Sequence, residues 1–217
     1  MRTKGTAICL ITLLVSGLIS IQTSAFGSSL KIRVLISSGQ PQVSVGTLDK
    51  IKVFEGRGER LVGLLLKEGP IMCRTTPLGL NVGEYHVQAD FALLSSPDEA
   101  PIRVGKRWYR GEIIIHKDTR YHLEVINELD LELYLQGIMK QEISPRWPEA
   151  CLKAQAIVAR SYALYEAQRN ADSLFDLKST VESQAYIGLD GEDPLTNEAI
   201  VNTRHMILVN NGQPLPA

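Results

Sequence analysis

Two cations and one carboxylate stand out in the second half of the chain, in and just before a long predicted helix that begins at Glu149. Lys153 and Arg160 are seven residues apart, so at about 100° per residue they fall on nearly the same line of that helix. The residues that flank this line are apolar: Ala156, Ile157, Leu164 and Ala167. The two cations therefore extend along apolar surface to water, pair with buried carboxylates, or line a polar cleft. The nearest carboxylate in the sequence is Glu142, in the turn predicted to precede the helix.

A carboxyl group at such a turn can give a proton to a leaving group, and lysine and arginine side chains can hold a polar or anionic substrate. Taken alone, Glu142 is better explained as an exposed glutamate at a helix end. Trp147 lies between Pro145 and Pro148, where an indole either stacks on a sugar ring or fills a gap between elements.

The elements that must position these side chains are a short helix, a turn with two prolines and the long helix. Asp130 is a predicted N-cap of the short helix, and a further short helix is predicted from Thr196. Residues 30–107 contain short alternating segments and turn glycines, which are typical of strands. The pattern predicts an α+β fold, in which a β-rich N-terminal module precedes an α+β domain with a central long helix.

The segments LELYLQG at 131–137 and QEISPRWPEACLKAQAIVARSYAL at 141–164 resemble the core of the sporulation stage II protein D (SpoIID/LytB) family. Asn127, TVESQAYIG at 180–188 and MILV at 206–209 add to this resemblance, which covers about residues 105–217. It implies a lytic transglycosylase that cleaves peptidoglycan and in which Glu142 matches the catalytic acid. The candidate substrate-binding residues are Lys153, Arg160, Gln184 and Trp147. Gln184 and its neighbour Tyr186 either face the cleft or satisfy backbone groups.

One carboxylate is enough for the implied reaction. Ordinary glycosidases use a pair, because water or an enzyme carboxylate attacks the sugar. In a lytic transglycosylase the C6 hydroxyl of the muramic acid attacks, so a single group first protonates the leaving oxygen and then deprotonates that hydroxyl. The expected product is a 1,6-anhydro sugar. The family name also covers enhancers of amidases, so the alternative is a non-catalytic cell-wall binding module or an inactive fragment.

The chain reaches Ala217 where the family pattern continues with a histidine-serine run and often a cysteine, which are implicated in metal binding. We therefore expect the domain at 105–217 to be incomplete at its C-terminus, and a zinc site only in the complete family domain. Within the chain, His116, His122 and His205 lack the spacing of metal ligands, so no cofactor is predicted.

Residues 1–25 have the three parts of a secretory signal peptide: a basic start, an apolar run and small residues before Phe26. The sequence thus predicts export to the periplasm, cell wall or medium, with the N-terminal module spanning 26–104. Cleavage would remove two of the 23 basic residues and none of the 24 acidic ones, which leaves a net charge of −3.

A negative chain without a basic stripe is not expected to bind nucleic acid. The expected partners are peptidoglycan glycan strands and other cell-wall hydrolases. After cleavage two cysteines remain, Cys73 and Cys151, and we expect them to be unpaired because Cys151 fits a small buried position in the long helix.

Overall fold

The computed structural model of the protein describes residues 30–66 and 69–216, and the predicted signal peptide lies outside the described residues. The helices α1, α2 and α3 are Leu131–Glu142, Glu149–Arg169 and Pro194–Asn202. The strands β1 to β15 are, in chain order, Lys31–Gln40, Gln42–Thr47, Ile51–Glu55, Arg60–Leu65, Ile71–Thr76, Gly79–Val82, Tyr85–Val87, Phe91–Ser95, Ile102–Val104, Arg107–Tyr109, Glu112–Lys117, Leu123–Asp130, Leu177–Lys178, Val209–Asn210 and Gln213–Pro214. The α+β fold predicted from the sequence is confirmed.

The first sheet has seven strands in the order β13-β1-β12-β11-β8-β3-β4. Strand β1 pairs antiparallel with β12 and parallel with β13, so a strand from the predicted N-terminal module lies between two strands from the second half. The predicted boundary between residues 104 and 105 falls in the turn that joins β9 to β10, and these two strands pair with each other. The two predicted segments therefore share one sheet.

The second sheet has six strands in the order β10-β9-β2-β5-β6-β7, with β10 and β7 at its edges. Its strands alternate as a half-buried sheet does: Cys73 and Val82 face the core, whereas Arg74 and Asn81 face solvent. One continuous buried cluster joins the inner faces of both sheets to α1 and α2. Cys73 and Cys151 are both free, as predicted, and burial raises the pKa of the Cys73 thiol to about 12.

The helix starts follow ordinary capping chemistry. Asp130 caps α1, as predicted, by accepting hydrogen bonds from the backbone N–H groups of Glu132 and Leu133. Helix α3 begins at Pro194 rather than at Thr196. The Asp193 carboxylate caps it by accepting a hydrogen bond from the Leu195 backbone N–H, and proline is favoured at the first helical position. No helix within the described ranges is long and apolar enough to cross a membrane.

An arginine on β1 fastens the end of α2 to the first sheet. Arg33 forms an ion pair with the buried Asp176, and its guanidinium also donates to the Ser173 and Asn170 carbonyl oxygens at 2.6 and 3.1 Å. The backbone N–H of Arg33 donates to the same Asp176 carboxylate at 2.7 Å. The chain that leaves α2 is thus held against the strand that begins the described fold.

The turn at residues 188–191 packs directly on α1 through two glycines. A Cβ atom at Gly191 would overlap the Gly137 carbonyl, and one at Gly137 would overlap the ring of Tyr186. That ring cannot easily move, because Tyr186 is buried and its hydroxyl donates to Asn127 Oδ1 at 2.7 Å. Only glycine allows this approach of helix and turn.

We expect Gly137→Ala to lower the free energy of unfolding by up to about 2 kcal/mol, because overpacking a core costs about 1–3 kcal/mol. This cost exceeds the gain of about 1 kcal/mol that alanine has over glycine within a helix. Urea unfolding of the two proteins measures the difference. Gln141→Ala, at an exposed position of the same helix, is the control and should change stability by less than about 0.5 kcal/mol. Equal stability of Gly137→Ala and the parent would show that the contact is loose.

Candidate functional site

The sequence predicted Glu142 in the turn, but Glu142 is the last residue of α1. The helix ends there because Ile143 is extended, while its N–H still donates to the Met139 carbonyl at 3.0 Å. The Glu142 side chain is exposed. Within the described ranges no hydrogen bond or ion pair engages its carboxylate. It is therefore accessible to a ligand and to protons from water.

A buried hydroxyl belongs to Tyr134, eight residues before Glu142 in α1. Tyr134 is fully buried and donates to Gln184 Oε1 at 3.0 Å. Burial, and after it the charges of Tyr186, Tyr162 and Glu142, raises the pKa of Tyr134 well above its usual value. The phenol therefore stays protonated and keeps donating. Gln184, 7% exposed, has its oxygen occupied, so its amide N–H groups are the part left to donate to a ligand.

Arg160 does not reach Glu142, the carboxylate that the sequence suggested for it. Its guanidinium binds Glu132 instead, with Nε donating to Oε1 and Nη2 to Oε2, each at 2.8 Å. The same group donates to the carbonyl oxygens of Met206 at 3.1 Å and Ile200 at 3.2 Å. At 1% exposure Arg160 is enclosed by protein. Of the three alternatives for the cations, pairing with a carboxylate holds for Arg160, although the Glu132 side chain is only partly buried, with 17% exposed.

The reason lies in the helical hairpin. Glu132 comes ten residues before the end of α1, and Arg160 comes eleven residues after the start of α2. When α2 folds back along α1, these two positions reach the same height. With a rise of 1.5 Å per residue, that height is about 15 Å along α1 from Glu142. Glu142, the nearest carboxylate in the sequence, is therefore not the partner of Arg160.

Lys153 and Trp147 lie at the turn end of the hairpin. Lys153 Nζ binds Glu149 one helical turn away at 2.5 Å, and both side chains are at least a third exposed. Trp147 is 58% exposed, and its backbone N–H donates to the Ser144 carbonyl at 3.0 Å within the turn. An indole this exposed is not filling a gap between elements, so its ring is accessible for stacking.

Glu132 and Tyr134 contact candidate residues, Arg160 and Gln184, but were not predicted as their partners from the sequence. Both lie in LELYLQG, which was used only as a family signature. The sequence contained information that predicts the Glu132 contact. Residues at equal distances from a short turn between two helices meet when the helices pack antiparallel. Applied to Arg160, that symmetry points to the first turn of α1.

Metal ligands were expected beyond Ala217 in the complete family domain. In the described ranges no group of three or more His, Cys, Asp or Glu side chains could hold a metal ion.

We expect Arg160→Met to lower the free energy of unfolding by about 3–5 kcal/mol, because it leaves the Glu132 charge and two carbonyl groups without their donor. Arg160→Met combined with Glu132→Leu should lose less than Arg160→Met alone, since no unpaired charge remains. Lys153→Met, at a solvent-exposed ion pair, is the control and should cost less than about 1 kcal/mol. Urea unfolding measures all three. A stable Arg160→Met protein that has lost only substrate binding would return Arg160 to the binding site.

Comparison with known proteins finds the same family that the quoted sequence segments resemble. A family model described as stage II sporulation protein (SpoIID) matches residues 119–210. An uncharacterized protein of Brachyspira hyodysenteriae is 30% identical over 191 residues, which cover 87% of this chain and 51% of that protein. An uncharacterized protein of Chlamydia muridarum is 28% identical over 185 residues, covering 83% and 63% respectively. The chain thus spans about half to under two thirds of these relatives. Residues 119–210 of this chain are a SpoIID domain, the family that the sequence indicated.

Proposed function

We propose that this protein cleaves peptidoglycan glycan strands as a lytic transglycosylase, with Glu142 as its single acid and base. The family match relates the chain to sporulation and the cell wall. The observation that carries the finer proposal is the exposed Glu142 carboxylate at the end of α1, which has no ion-pair partner in the described ranges.

The reaction needs one proton to move twice. Glu142 in its acid form protonates the glycosidic oxygen as the bond from C1 of the muramic acid to that oxygen breaks. The resulting carboxylate then takes the proton of the C6 hydroxyl as O6 bonds to C1. Glu142 ends as it began, and the products are a free hydroxyl on one fragment and a 1,6-anhydro end on the other. No cofactor enters this sequence of steps.

The surrounding side chains suit a sugar polymer. The exposed Trp147 ring offers a face on which a pyranose stacks. The free N–H groups of the Gln184 amide are donors for sugar oxygens, and Tyr134 fixes which end of the amide faces outward. Lys153 supplies a cation at the same end of the hairpin. In this proposal Arg160 has a positioning role, because it fixes α1 and therefore Glu142 relative to α2.

We expect Glu142→Gln to lower the rate of glycan cleavage by about 10²–10⁴-fold, the usual contribution of a general acid and base. The amide is nearly isosteric, so thermal melting and glycan binding should stay as in the parent. Glu198→Gln, an exposed helix glutamate on α3, is the matched control and should cleave at the parent rate. Digestion of purified glycan strands, followed by mass spectrometry, measures both the rate and the ends formed.

Three outcomes would contradict the proposal. Equal cleavage by Glu142→Gln and the parent would remove Glu142 as the acid. Reducing ends in place of anhydro ends would make water the nucleophile. Binding of glycan strands without any cleavage by the parent would favour the non-catalytic cell-wall module, which acts on other cell-wall hydrolases rather than on the glycan.

A substrate in the cell wall requires export, and we propose that residues 1–25 direct it. N-terminal sequencing of the protein collected outside the cytoplasm should begin near Phe26, where the small residues of the predicted cleavage site end. Recovery of that protein with Met1 still in place would contradict cleavage.

A further inference from the structure

The outer face of the six-stranded sheet carries a pocket of about 380 Å³, far in the sequence from Glu142. Its lining residues are Thr47, Leu48, Gly69, Arg103 and Trp108. Its volume lies at the lower end of the range for small-molecule sites, about 300–1,000 Å³. The pocket contains one aromatic ring, one cation and, at its rim, the 76% exposed Leu48. The proposed reaction uses none of these residues.

The register of three strands builds this pocket. Trp108 on β10 is directly opposite Arg103 on β9, and Arg103 is directly opposite Gly46 on β2. Directly opposite residues project to the same face of a sheet. Because Gly46 has no side chain, the Arg103 guanidinium lies over its backbone, where a Cβ atom would stand 3.3 Å from Arg103 Nε. The Arg103 guanidinium carbon is 5.8 Å from the centre of the Trp108 ring, so the two form the floor and the wall of one recess.

The cations of this region have no ion-pair partner among the described residues. They are Arg103 and the exposed Lys106 and Arg107, which all belong to the hairpin of β9 and β10. Elsewhere on the fold, arginines such as Arg33 and Arg110 are paired with carboxylates. The recess therefore presents a guanidinium that lies over one face of the Trp108 indole. Without an ion-pair partner in the described residues, this guanidinium can bind a carboxylate through two parallel hydrogen bonds.

The same hairpin packs on the elements that hold Glu142. The Trp108 carbonyl oxygen lies so close to Gly188 that a Cβ atom at Gly188 would overlap it. The turn at 188–191 in turn packs on Gly137, five residues before Glu142 in α1. The pocket and the proposed catalytic end are thus joined through contacts between backbone atoms.

We infer that Trp108 and Arg103 form a second glycan subsite, which binds a sugar unit that carries a carboxylate. The indole stacks on the pyranose ring through the face that Arg103 does not cover. The guanidinium binds the carboxylate, which in a glycan strand freed of its peptides is the lactyl group of muramic acid. This inference rests on the proposed function for the identity of the polymer. It assigns to the β-rich segment the task of holding the strand while Glu142 acts on it.

The test uses the full chain with Glu142→Gln, which prevents cleavage, and Trp147→Phe, which leaves Trp108 as the sole tryptophan of the two in the sequence. Its ligands are peptide-free glycan strands and chitin oligosaccharides of equal length, which lack carboxylates. Calorimetry gives the two dissociation constants, and Trp108 emission reports on the pocket itself. We expect the glycan strands to bind about tenfold more tightly than chitin, as one charge-assisted hydrogen-bonded contact provides, and to change Trp108 emission in a saturable way.

Arg103→Gln should abolish the preference for the carboxylate-bearing strands. Lys106→Gln removes the same charge from the same hairpin outside the pocket, so it should keep the preference. Circular dichroism melts check that both variants are folded. An equal loss in both variants, equal affinity of the parent for the two ligands, or unchanged Trp108 emission at saturation would overturn the subsite.

The outcome separates this inference from the proposed function. If Trp108 responds as expected while neither the parent nor Glu142→Gln cleaves glycan strands, the subsite stands and the proposed reaction fails. If cleavage depends on Glu142 and Trp108 does not respond, the subsite alone fails.

Discussion

The arrangement of this fold depends on one guanidinium enclosed by protein. Arg160 has five N–H groups, and five hydrogen bonds satisfy them, two to the Glu132 carboxylate and three to the Ala156, Ile200 and Met206 carbonyl oxygens. Such a charge is tolerated in a core only when every donor has an acceptor. The partners come from α1, from α2 itself, from α3 and from the segment after α3. A single side chain therefore fixes the relative position of all three helices.

The position of the hairpin turn follows from this ion pair. Because Glu132 and Arg160 set the register of α1 against α2, the far end of the hairpin is fixed as well. Glu142 and Trp147 lie at that end, where neither is covered by other elements. The hairpin thus has a closed end, where protein encloses the Arg160 guanidinium, and an open end, where Glu142 and Trp147 are exposed. The same line of α2 carries a buried cation, Arg160, at the closed end and a partly exposed cation, Lys153, at the open end.

The β-rich segment is an integral part of this architecture. Strand β1 lies between β12 and β13, and Arg33 on β1 holds the chain that leaves α2. On the other side, β10 meets the turn at 188–191, whose glycines allow it to reach both the hairpin and α1. The SpoIID domain, matched over residues 119–210, is therefore supported on two sides by strands that precede it in the chain. The contacts of β10 with the turn at 188–191, and of that turn with α1, would therefore hold a ligand on the six-stranded sheet at a fixed position relative to Glu142.

The sequence by itself determined what depends on neighbours along the chain. The alternation of apolar and polar residues predicted strands, Asp130 predicted the start of α1, and the two prolines predicted the turn. The LELYLQG and QEISPRWP segments indicated the family. The sequence also showed that Arg160 occupies an apolar arc, so that a buried partner was one of three alternatives. Only the tertiary structure decided whether that partner is Glu132 or Glu142. The choice depends on which turn of α1 packs against Arg160 in α2. The tertiary structure also decided that β1 joins the sheet of the second half and that Arg103, Gly46 and Trp108 form one recess. These are pairings between distant segments, and no local periodicity encodes their register.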